Sequence, residues 1–168
     1  MRPNAPLREI ALDLGGRKRL GRTKIALIRA EYNAEITRSL EAKCIQGLRE
    51  AGLRESQIEC YRVPGCFEIP LFAQRLAMRK RYGALIALGA VIRGETLHFD
   101  LVAWECARGV MDVSLKYNVP VIFEVLAANN RREVLRRAGN DRTNKGFEAA
   151  RAALAILAEL SRLKDGTL

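Results

Sequence analysis

Short, almost wholly apolar segments alternate with longer segments of helical periodicity along most of this chain. The apolar segments are expected strands, and they occupy residues 24–28, 58–63, 84–92 and 120–126. The expected helices occupy residues 34–51, 68–80, 99–117, 130–138 and 145–163. Strands that are apolar throughout are covered on both faces. The alternation therefore predicts an α/β fold, a three-layer α/β/α sandwich with a central, mainly parallel four-stranded sheet.

The first predicted helix has clear boundaries. Its apolar positions recur every four residues and form one face: Ile36, Leu40, Cys44 and Leu48. Asn33 is a candidate N-cap of this helix, and Gly52 is a candidate residue for ending it. Residues 1–20 carry little pattern beyond a possible short strand at 10–14. We therefore expect an N-terminal extension over residues 1–20 and a single domain over residues 21–168.

Composition indicates one soluble globular domain. The chain has 168 residues, of which 49% are apolar and 29% are charged. No segment approaches the roughly 18 uninterrupted apolar residues of a membrane span, and no apolar stretch follows the basic residues at the N-terminus. We expect a cytoplasmic protein that does not contact a membrane.

Cysteine spacing and net charge restrict the partners. Four cysteines lie far apart without a CxxC pair, and there is one histidine, so neither a zinc site nor a disulfide framework is indicated and no metal is expected. The formal charge of +10 favours anionic partners, such as phosphorylated metabolites, acidic proteins or nucleic acid. Because the basic residues are scattered and no nucleic-acid-binding motif accompanies them, solvated helix faces are favoured over a nucleic-acid surface.

Residues with chemical potential follow the predicted strands. Ligands of parallel α/β sheets bind outside the carboxyl ends of the strands. Residues 31–33, 64–68 and 93–98 follow the first three strands, and Phe123 and Glu124 lie within the fourth. We therefore expect four segments of the chain to converge on one rim of the sheet.

The turn after the third strand is a candidate anion site beside a candidate catalyst. Gly94, Glu95 and Thr96 join a strand to a helix, where backbone N–H groups favour a phosphate, although most such turns bind nothing. His98, the single histidine, lies within reach of a group attached to a bound phosphate. A helix-capping or surface histidine is the alternative.

Each of the other candidate residues on the rim has either a ligand-binding role or a purely structural one. Tyr32 and Phe67 either clasp a flat heterocycle or pack under their loops. Glu68 suits both a polar ligand and the start of a helix. Three charged residues surround the loop at 139–144: Arg137, Lys145 and Glu148. Either this loop is simply solvated, or Arg137 recognises a phosphate.

Five motifs, in uninterrupted order over about residues 24–160, closely resemble the lumazine synthase family. They are Glu31-Tyr32-Asn33, the segment from Val63 to Pro70, the segment from Gly89 to Asp100, Arg137-Ala138-Gly139 and Asn144-Lys145-Gly146. The resemblance implies a flavodoxin-like fold. It also implies the condensation of 5-amino-6-(D-ribitylamino)uracil with 3,4-dihydroxy-2-butanone 4-phosphate, which releases inorganic phosphate and gives 6,7-dimethyl-8-ribityllumazine in riboflavin biosynthesis. No cofactor or metal is implied.

The resemblance also implies roles for individual residues. His98 matches the proton-transfer residue. The positions that match the site of the pyrimidine and its ribityl chain are Tyr32, Asn33, Gly65, Cys66, Phe67, Glu68, Val91 and Ile92. Gly94, Glu95 and Thr96 match the phosphate-binding turn, and Arg137 matches the phosphate-binding arginine. Because the family's site lies between subunits, residues from the adjacent chain would complete it: Phe123, Glu124, Arg137, Lys145 and Glu148.

The chain departs from the family pattern at a few positions. Cys66 stands where Ser or Ala is usual, Ala127 where Thr is usual, and Arg132-Glu133-Val134 where Glu-Gln-Ala is usual. Glu124 stands where a small residue is common. A Glu124 carboxylate inside the pocket would repel the phosphate substrate, whereas a backbone contact alone would be harmless. A catalytically weak paralogue that binds flavin or lumazine, or forms a shell, is therefore the alternative to an active enzyme.

The resemblance finally implies a homo-oligomer. The family forms pentamers, some of which combine into hollow 60-subunit shells. An insertion before the Asn-Lys-Gly motif tends to mark the smaller assemblies, and the loop at 139–144 is short. A shell is therefore compatible with this sequence.

Overall fold

The computed structural model describes Leu7 and residues 23–164. Its strands are β1 (Ile25–Ala30), β2 (Ile58–Val63), β3 (Ala84–Ile92) and β4 (Val121–Ala128). Its α-helices are α1 (Ala34–Glu50), α2 (Ile69–Ala77), α3 (His98–Tyr117), α4 (Arg131–Arg137) and α5 (Lys145–Lys164). Single 3-10 turns precede β2 and α2, at Glu55–Gln57 and Cys66–Glu68. Within these ranges, no helix is long and apolar enough to cross a bilayer.

The four strands form one parallel sheet in the order β2-β1-β3-β4. All six residues of β1 and eight of the nine residues of β3 are buried, as the apolar runs predicted. Strand β1 pairs with both β2 and β3, so it lies in the middle of the sheet although it comes first in the described chain. The predicted three-layer α/β/α sandwich with a flavodoxin-like parallel sheet is confirmed.

The helices divide into two layers. Helices α1 and α5 pack on one face of the sheet, against Ile25 and Leu27 of β1. Helices α2 and α3 pack on the other face, against Ala26 and Ile28. Helix α5 lies very close to α1 at Gly146, where a Cβ atom would collide with the backbone carbonyl oxygen of Leu40. The apolar face predicted for α1 lies in this layer.

Some predicted details differ from the structure. Asn33 occupies the N-cap position of α1, but its backbone is left-handed, with φ of 58°, and its side chain does not cap the helix. The predicted helix at 68–80 ends at Ala77, and Lys80 has φ of 52°. Gly52 does follow the end of α1, with φ of 102°, where glycine has no steric penalty. The possible strand at residues 10–14 lies outside the described residues.

Helix α3 carries an exposed apolar stripe. The stripe begins at the N-cap residue and consists of Leu97, Leu101, Trp104, Met111 and Leu115. With Arg108, these positions alternate in steps of four and three residues, the spacing of a seam between packed helices. Trp104 is 73% exposed in the single chain. A large apolar stripe of this kind is typical of an interaction surface.

Candidate functional site

The loop after β1 is tied to the end of β2. The amide of Glu31 donates to the carbonyl oxygen of Val63 at 2.9 Å, and the amide of Tyr32 donates to that of Pro64 at 3.1 Å. The side chain of Asn33 reaches in the other direction and donates to the carbonyl oxygen of Ala90 at 2.9 Å. These bonds hold the loop across three strands and leave the Tyr32 ring 72% exposed.

The loop after β2 contacts the Tyr32 loop. The amide of Gly65 donates to Glu68 Oε2 at 2.8 Å, and a Cβ atom at Gly65 would lie 3.1 Å from Tyr32 Cδ2. Phe67 and Glu68 are exposed, whereas Gly65 and Cys66 are buried beneath them. The two loops therefore present an aromatic ring and a carboxylate side by side.

Cys66 lies on the floor of this region. Its Sγ atom packs against β3, since a Cβ atom at Gly89 would be only 2.5 Å from it. Burial raises the pKa of the Cys66 thiol to about 11, so the thiol is neutral at physiological pH. Cys66 is thus a small packing group rather than a nucleophile.

The turn after β3 exposes backbone donors beside the histidine. Val91 is buried and Ile92 half-buried, and residues 93–98 are all exposed. Within the described chain, the amides of Gly94, Glu95 and Thr96 make no backbone hydrogen bond. His98 begins α3, and its amide lies 3.4 Å from Thr96 Oγ1. Free N–H groups beside a helix start suit an anion, and the anion site itself stays a prediction.

Sequence reasoning missed the role of Arg93. Its guanidinium forms two hydrogen bonds of 2.8 Å to the Asp100 carboxylate, lies 4.2 Å from the Phe99 ring centroid, and donates to Asn129 Oδ1 at 3.1 Å. The Arg93 guanidinium lowers the pKa of Asp100. Arg93 therefore links the end of β3 to the first turn of α3 and to the residue after β4. The fold brings these partners together, and no local sequence pattern predicts the contacts.

Phe123 and Glu124 lie within β4, before its carboxyl end. Phe123 pairs with Ala87 and Glu124 with Leu88, and these two residues of β3 pair in turn with Ile28 and Arg29 of β1. Glu124 precedes Ala128, the last residue of β4, by four residues, which corresponds to about 13 Å of extended strand. Glu124 is therefore level with Arg29, the residue before the last of β1, while β3 and β4 extend beyond that level. The convergence of the fourth segment with the other three stays a prediction.

A second group of candidate residues surrounds β4. Glu124 lies on the α1–α5 face, between Ile122 and Leu126 in the strand, and is half-buried. Burial raises the pKa of Glu124 to about 7; the Lys145 ammonium opposes this rise, and the Glu148 carboxylate adds to it. Lys145 and Glu148 form an ion pair in the first turn of α5. Phe123, one position earlier in the strand, lies on the opposite face.

Arg137 lies at the end of α4. Its Nη1 atom donates to the backbone carbonyl oxygen of Glu133 at 2.9 Å, and the residue is half-buried. The expected charged group is thus formed only in part, by Lys145 and Glu148. The structure brings together the candidates from β1, β2 and β3. A shared site with the candidates from β4, α4 and α5 stays a prediction.

A comparison with protein families identifies the family of this chain. The sequence model of 6,7-dimethyl-8-ribityllumazine synthase matches residues 22–161. The chain belongs to the lumazine synthase family. The match includes all four strands and nearly all of α5, so both groups of candidate residues lie within the lumazine synthase region.

The rim of this lumazine synthase family member combines three chemical capacities. An exposed tyrosine face beside a carboxylate suits a flat, polar heterocycle. Free backbone N–H groups suit a phosphate, and an exposed imidazole two to four residues away in sequence suits proton transfer near neutral pH. Within the described residues, no group of three or more metal-ligating side chains is formed.

Proposed function

We propose that this protein condenses 5-amino-6-(D-ribitylamino)uracil with 3,4-dihydroxy-2-butanone 4-phosphate to give 6,7-dimethyl-8-ribityllumazine. One observation carries the proposal: in a chain of the lumazine synthase family, the free N–H turn at residues 94–96 lies beside His98, at the rim that also carries Tyr32. Both substrates are small molecules, and inorganic phosphate is the leaving group. This reaction requires no cofactor.

The pyrimidine substrate occupies the region between the first three strand ends. The Tyr32 ring stacks on the pyrimidine, and Asn33, Val91 and Ile92 border it. Glu68 accepts hydrogen bonds from the ribityl hydroxyls, while Gly65, Cys66 and Phe67 form the wall of that part of the site. The contact of the Tyr32 ring with Gly65 supports this arrangement, because it places both halves of the substrate beside one continuous surface.

The phosphate substrate binds at the turn after β3. The amides of Gly94, Glu95 and Thr96 donate to its phosphate, and the Arg137 guanidinium adds a charge-assisted contact. These donors stabilise the leaving phosphate as negative charge builds on it. The absence of competing backbone bonds at these amides in the described chain supports the assignment.

His98 transfers protons in the reaction. The amine of the pyrimidine attacks the ketone, water leaves to form an imine, phosphate is eliminated, and ring closure with loss of a second water completes the product. Imine formation and elimination both move protons near neutral pH, which suits an imidazole. Holding two substrates in one orientation provides much of the remaining acceleration, so His98 is useful but not indispensable.

The site is completed by an adjacent subunit of a homo-oligomer. Phe123, Glu124, Arg137, Lys145 and Glu148 come from that subunit. The exposed stripe on α3 supports self-association, and the pentamer and the 60-subunit shell are the assemblies proposed.

Two further proposals concern the whole chain. Residues 1–20 form an extension, and residues 21–168 form one cytoplasmic lumazine-synthase-like domain. The start of the family match at residue 22 supports this boundary. Limited proteolysis followed by mass measurement tests it: we expect cleavage before residue 21 to leave an intact core, and cleavage within residues 23–164 as the first event would contradict the boundary.

The two-substrate assay tests the proposed activity. The purified protein is mixed with both substrates, and lumazine absorbance and phosphate release are followed together. We expect both signals to exceed the spontaneous rate with equal stoichiometry. The absence of product above that rate would reject the activity. Tight binding of lumazine or riboflavin in that case would support the weak-paralogue alternative, which the Glu124 carboxyl group suggests.

A further inference from the structure

An arginine is buried in the central strand of the sheet. Arg29 is the fifth residue of β1, in the sequence IALIRA, and its side chain is 1% exposed. Alternation along the strand places it on the same face as Ile25 and Leu27, toward α1. A buried guanidinium is costly unless carboxylates and hydrogen bonds compensate it. The partners of Arg29 therefore indicate what the residue is for.

The guanidinium joins α1 to the loop after β1. Its Nε atom donates to Glu41 Oε2 of α1 at 3.1 Å. Its two terminal nitrogens donate to the two carboxylate oxygens of Glu31, at 2.8 and 3.3 Å, and Nη1 lies 3.4 Å from Thr37 Oγ1. This two-pronged contact fixes both the position and the orientation of the Glu31 carboxylate.

Glu31 immediately precedes the exposed tyrosine of the candidate site. The Glu31 carboxylate is held by Arg29 from below, while the amides of Glu31 and Tyr32 are held by the end of β2. Asn33 then turns through a left-handed conformation into α1. The loop is only three residues long, so a shift of Glu31 moves the Tyr32 ring directly.

We propose that Arg29 is a positioning residue that, through Glu31, holds the Tyr32 loop in the conformation that binds the pyrimidine substrate. The substrate part of this inference rests on the proposed function. Arg29 does not touch either substrate; it acts through Glu31 and through the first turn of α1. A lysine at this position carries the charge but cannot bond Glu31 and Glu41 together in the same fork geometry.

The first test separates the two substrates. In Arg29→Met, we expect the KM for the ribitylaminouracil to rise about tenfold, the loss typical of a charge-assisted contact, while the KM for the phosphate substrate stays within twofold. Arg29→Lys should fall between the wild type and Arg29→Met. Equal rises in both KM values, or no change in either, would overturn the inference.

The second test does not depend on activity. Amide hydrogen exchange reports whether the Glu31 and Tyr32 amides stay bonded to the end of β2. In Arg29→Met we expect faster exchange at these two amides, with the amides of β3 unchanged. Uniformly faster exchange across the sheet would mean that Arg29 only stabilises the fold, and this would overturn the positioning role.

Two further variants distinguish a positioning role of Arg29 from a general loss of stability. Lys24→Met removes another cation beside β1, paired with Glu59 at 2.9 Å at the opposite end of the strand, and it should change neither the exchange of the loop nor either KM. If Arg29→Met does not fold, Glu31→Gln weakens only the loop end of the network, because Glu31 is partly exposed, and the same selective KM change is expected. If the wild type makes no lumazine, the proposed function fails and the substrate part falls with it, whereas exchange still decides whether Arg29 holds the loop.

Discussion

Glu124 is a carboxyl group placed where a charge is disfavoured. It faces the α1–α5 layer between apolar strand residues, and burial raises its pKa from 4.5 to about 7. Lys145 in the first turn of α5 favours the ionised form, but Glu148, which pairs with the same lysine, disfavours it. The carboxyl group is therefore neutral in acid and charged in mildly alkaline solution.

Replacing Glu124 should change how stability depends on pH. In the wild type, the unfolded chain ionises near pH 4.5 and the folded chain only near pH 7, so stability falls as pH rises between these values and is level above them. Glu124→Gln lacks this loss, and we expect it to be more stable than wild type by about 1–2 kcal/mol at pH 8. The difference should vanish near pH 4.5 in urea denaturation at fixed protein concentration.

An exposed carboxylate provides the control for that comparison. Glu55 has an 88% exposed side chain, and Glu55→Gln should track the wild type at every pH. A stability difference for Glu124→Gln that does not vary with pH would mean that Glu124 titrates like a solvated carboxyl group.

His98 offers a kinetic prediction. In His98→Ala, we expect kcat to fall about tenfold to a hundredfold, at or below the low end for general acid–base groups, because positioning of the substrates remains. His98 is exposed, so added imidazole should restore part of the rate. A rise in KM at unchanged kcat, or no rescue by imidazole, would argue that His98 binds substrate rather than moving protons.

At the residue scale, the sequence predicted the location of those side chains that come directly after the end of a strand. Tyr32, Glu68 and His98 lie at the rim because parallel strands share a direction, and each strand end could be located from its apolar run. Arg29 and Arg93 could not be assigned partners in this way. Their bonds to Glu41 and Asn129 depend on how α1 and β4 pack, which no local pattern encodes.

At the scale of elements, the contact between α1 and α5 depends on one missing side chain. A Cβ atom at Gly146 would collide with the Leu40 carbonyl oxygen and lie 2.9 Å from the Cys44 amide nitrogen, both backbone atoms of α1 that cannot rotate away. The two helices pack on one face of the sheet beside Val134 of α4, so their separation affects the packing of that layer.

Gly146→Ala should therefore be strongly destabilising. We expect a loss of about 3 kcal/mol in the free energy of unfolding, because relief of the collision requires the helices to move apart. Gly139→Ala is the matched control: its Cβ would meet nothing closer than 3.7 Å, and its effect should stay within about 1 kcal/mol. Equal stability of the two variants in urea denaturation would show that α5 shifts without cost.

The elements themselves were largely predictable, and their ends were less so. The ranges of β2 and β3 both match the prediction. Strand β3 is an apolar run that is buried almost throughout, whereas β2 contains Glu59 and Arg62 and is buried only at Val63. The N-cap role of Asn33 was misjudged, because its side chain bonds the neighbouring strand at Ala90 rather than the helix. The early end of α2 likewise follows from the left-handed turn at Lys80, which has no strong sequence signal.

At the scale of the whole molecule, the apolar stripe on α3 is the candidate contact surface of the proposed homo-oligomer. Its spacing of four and three residues suits packing against other helices, and Arg108 in the middle of the seam already pairs with Glu105 and Asp112 of its own helix. Trp104 is the single tryptophan of the chain. Its fluorescence therefore reports directly on whether this surface is covered.

Trp104→Glu should disrupt the proposed assembly. We expect the wild type to have a mass in solution that is a multiple of 18.8 kDa and the variant to approach the mass of one chain, because a carboxylate in an apolar seam is costly to desolvate. Lys116→Glu changes charge at an exposed position outside the stripe and should keep the wild-type mass.

The wild-type tryptophan gives an independent check. Its emission should shift to longer wavelength on dilution, as chains separate and Trp104 meets water. An emission maximum that is already that of a solvated tryptophan in the intact assembly would place the contact between chains elsewhere.

The strand order described above has a consequence for synthesis on the ribosome. With the order β2-β1-β3-β4, each strand that emerges adds to an edge of the sheet already made: β2 to one side of β1, β3 to the other, and β4 beside β3. No strand has to be inserted between two that are already paired. The nascent chain can therefore build its sheet in the order of translation, and each new strand after β2 covers the edge left open by β1 or β3, while the outer edge of β2 stays open.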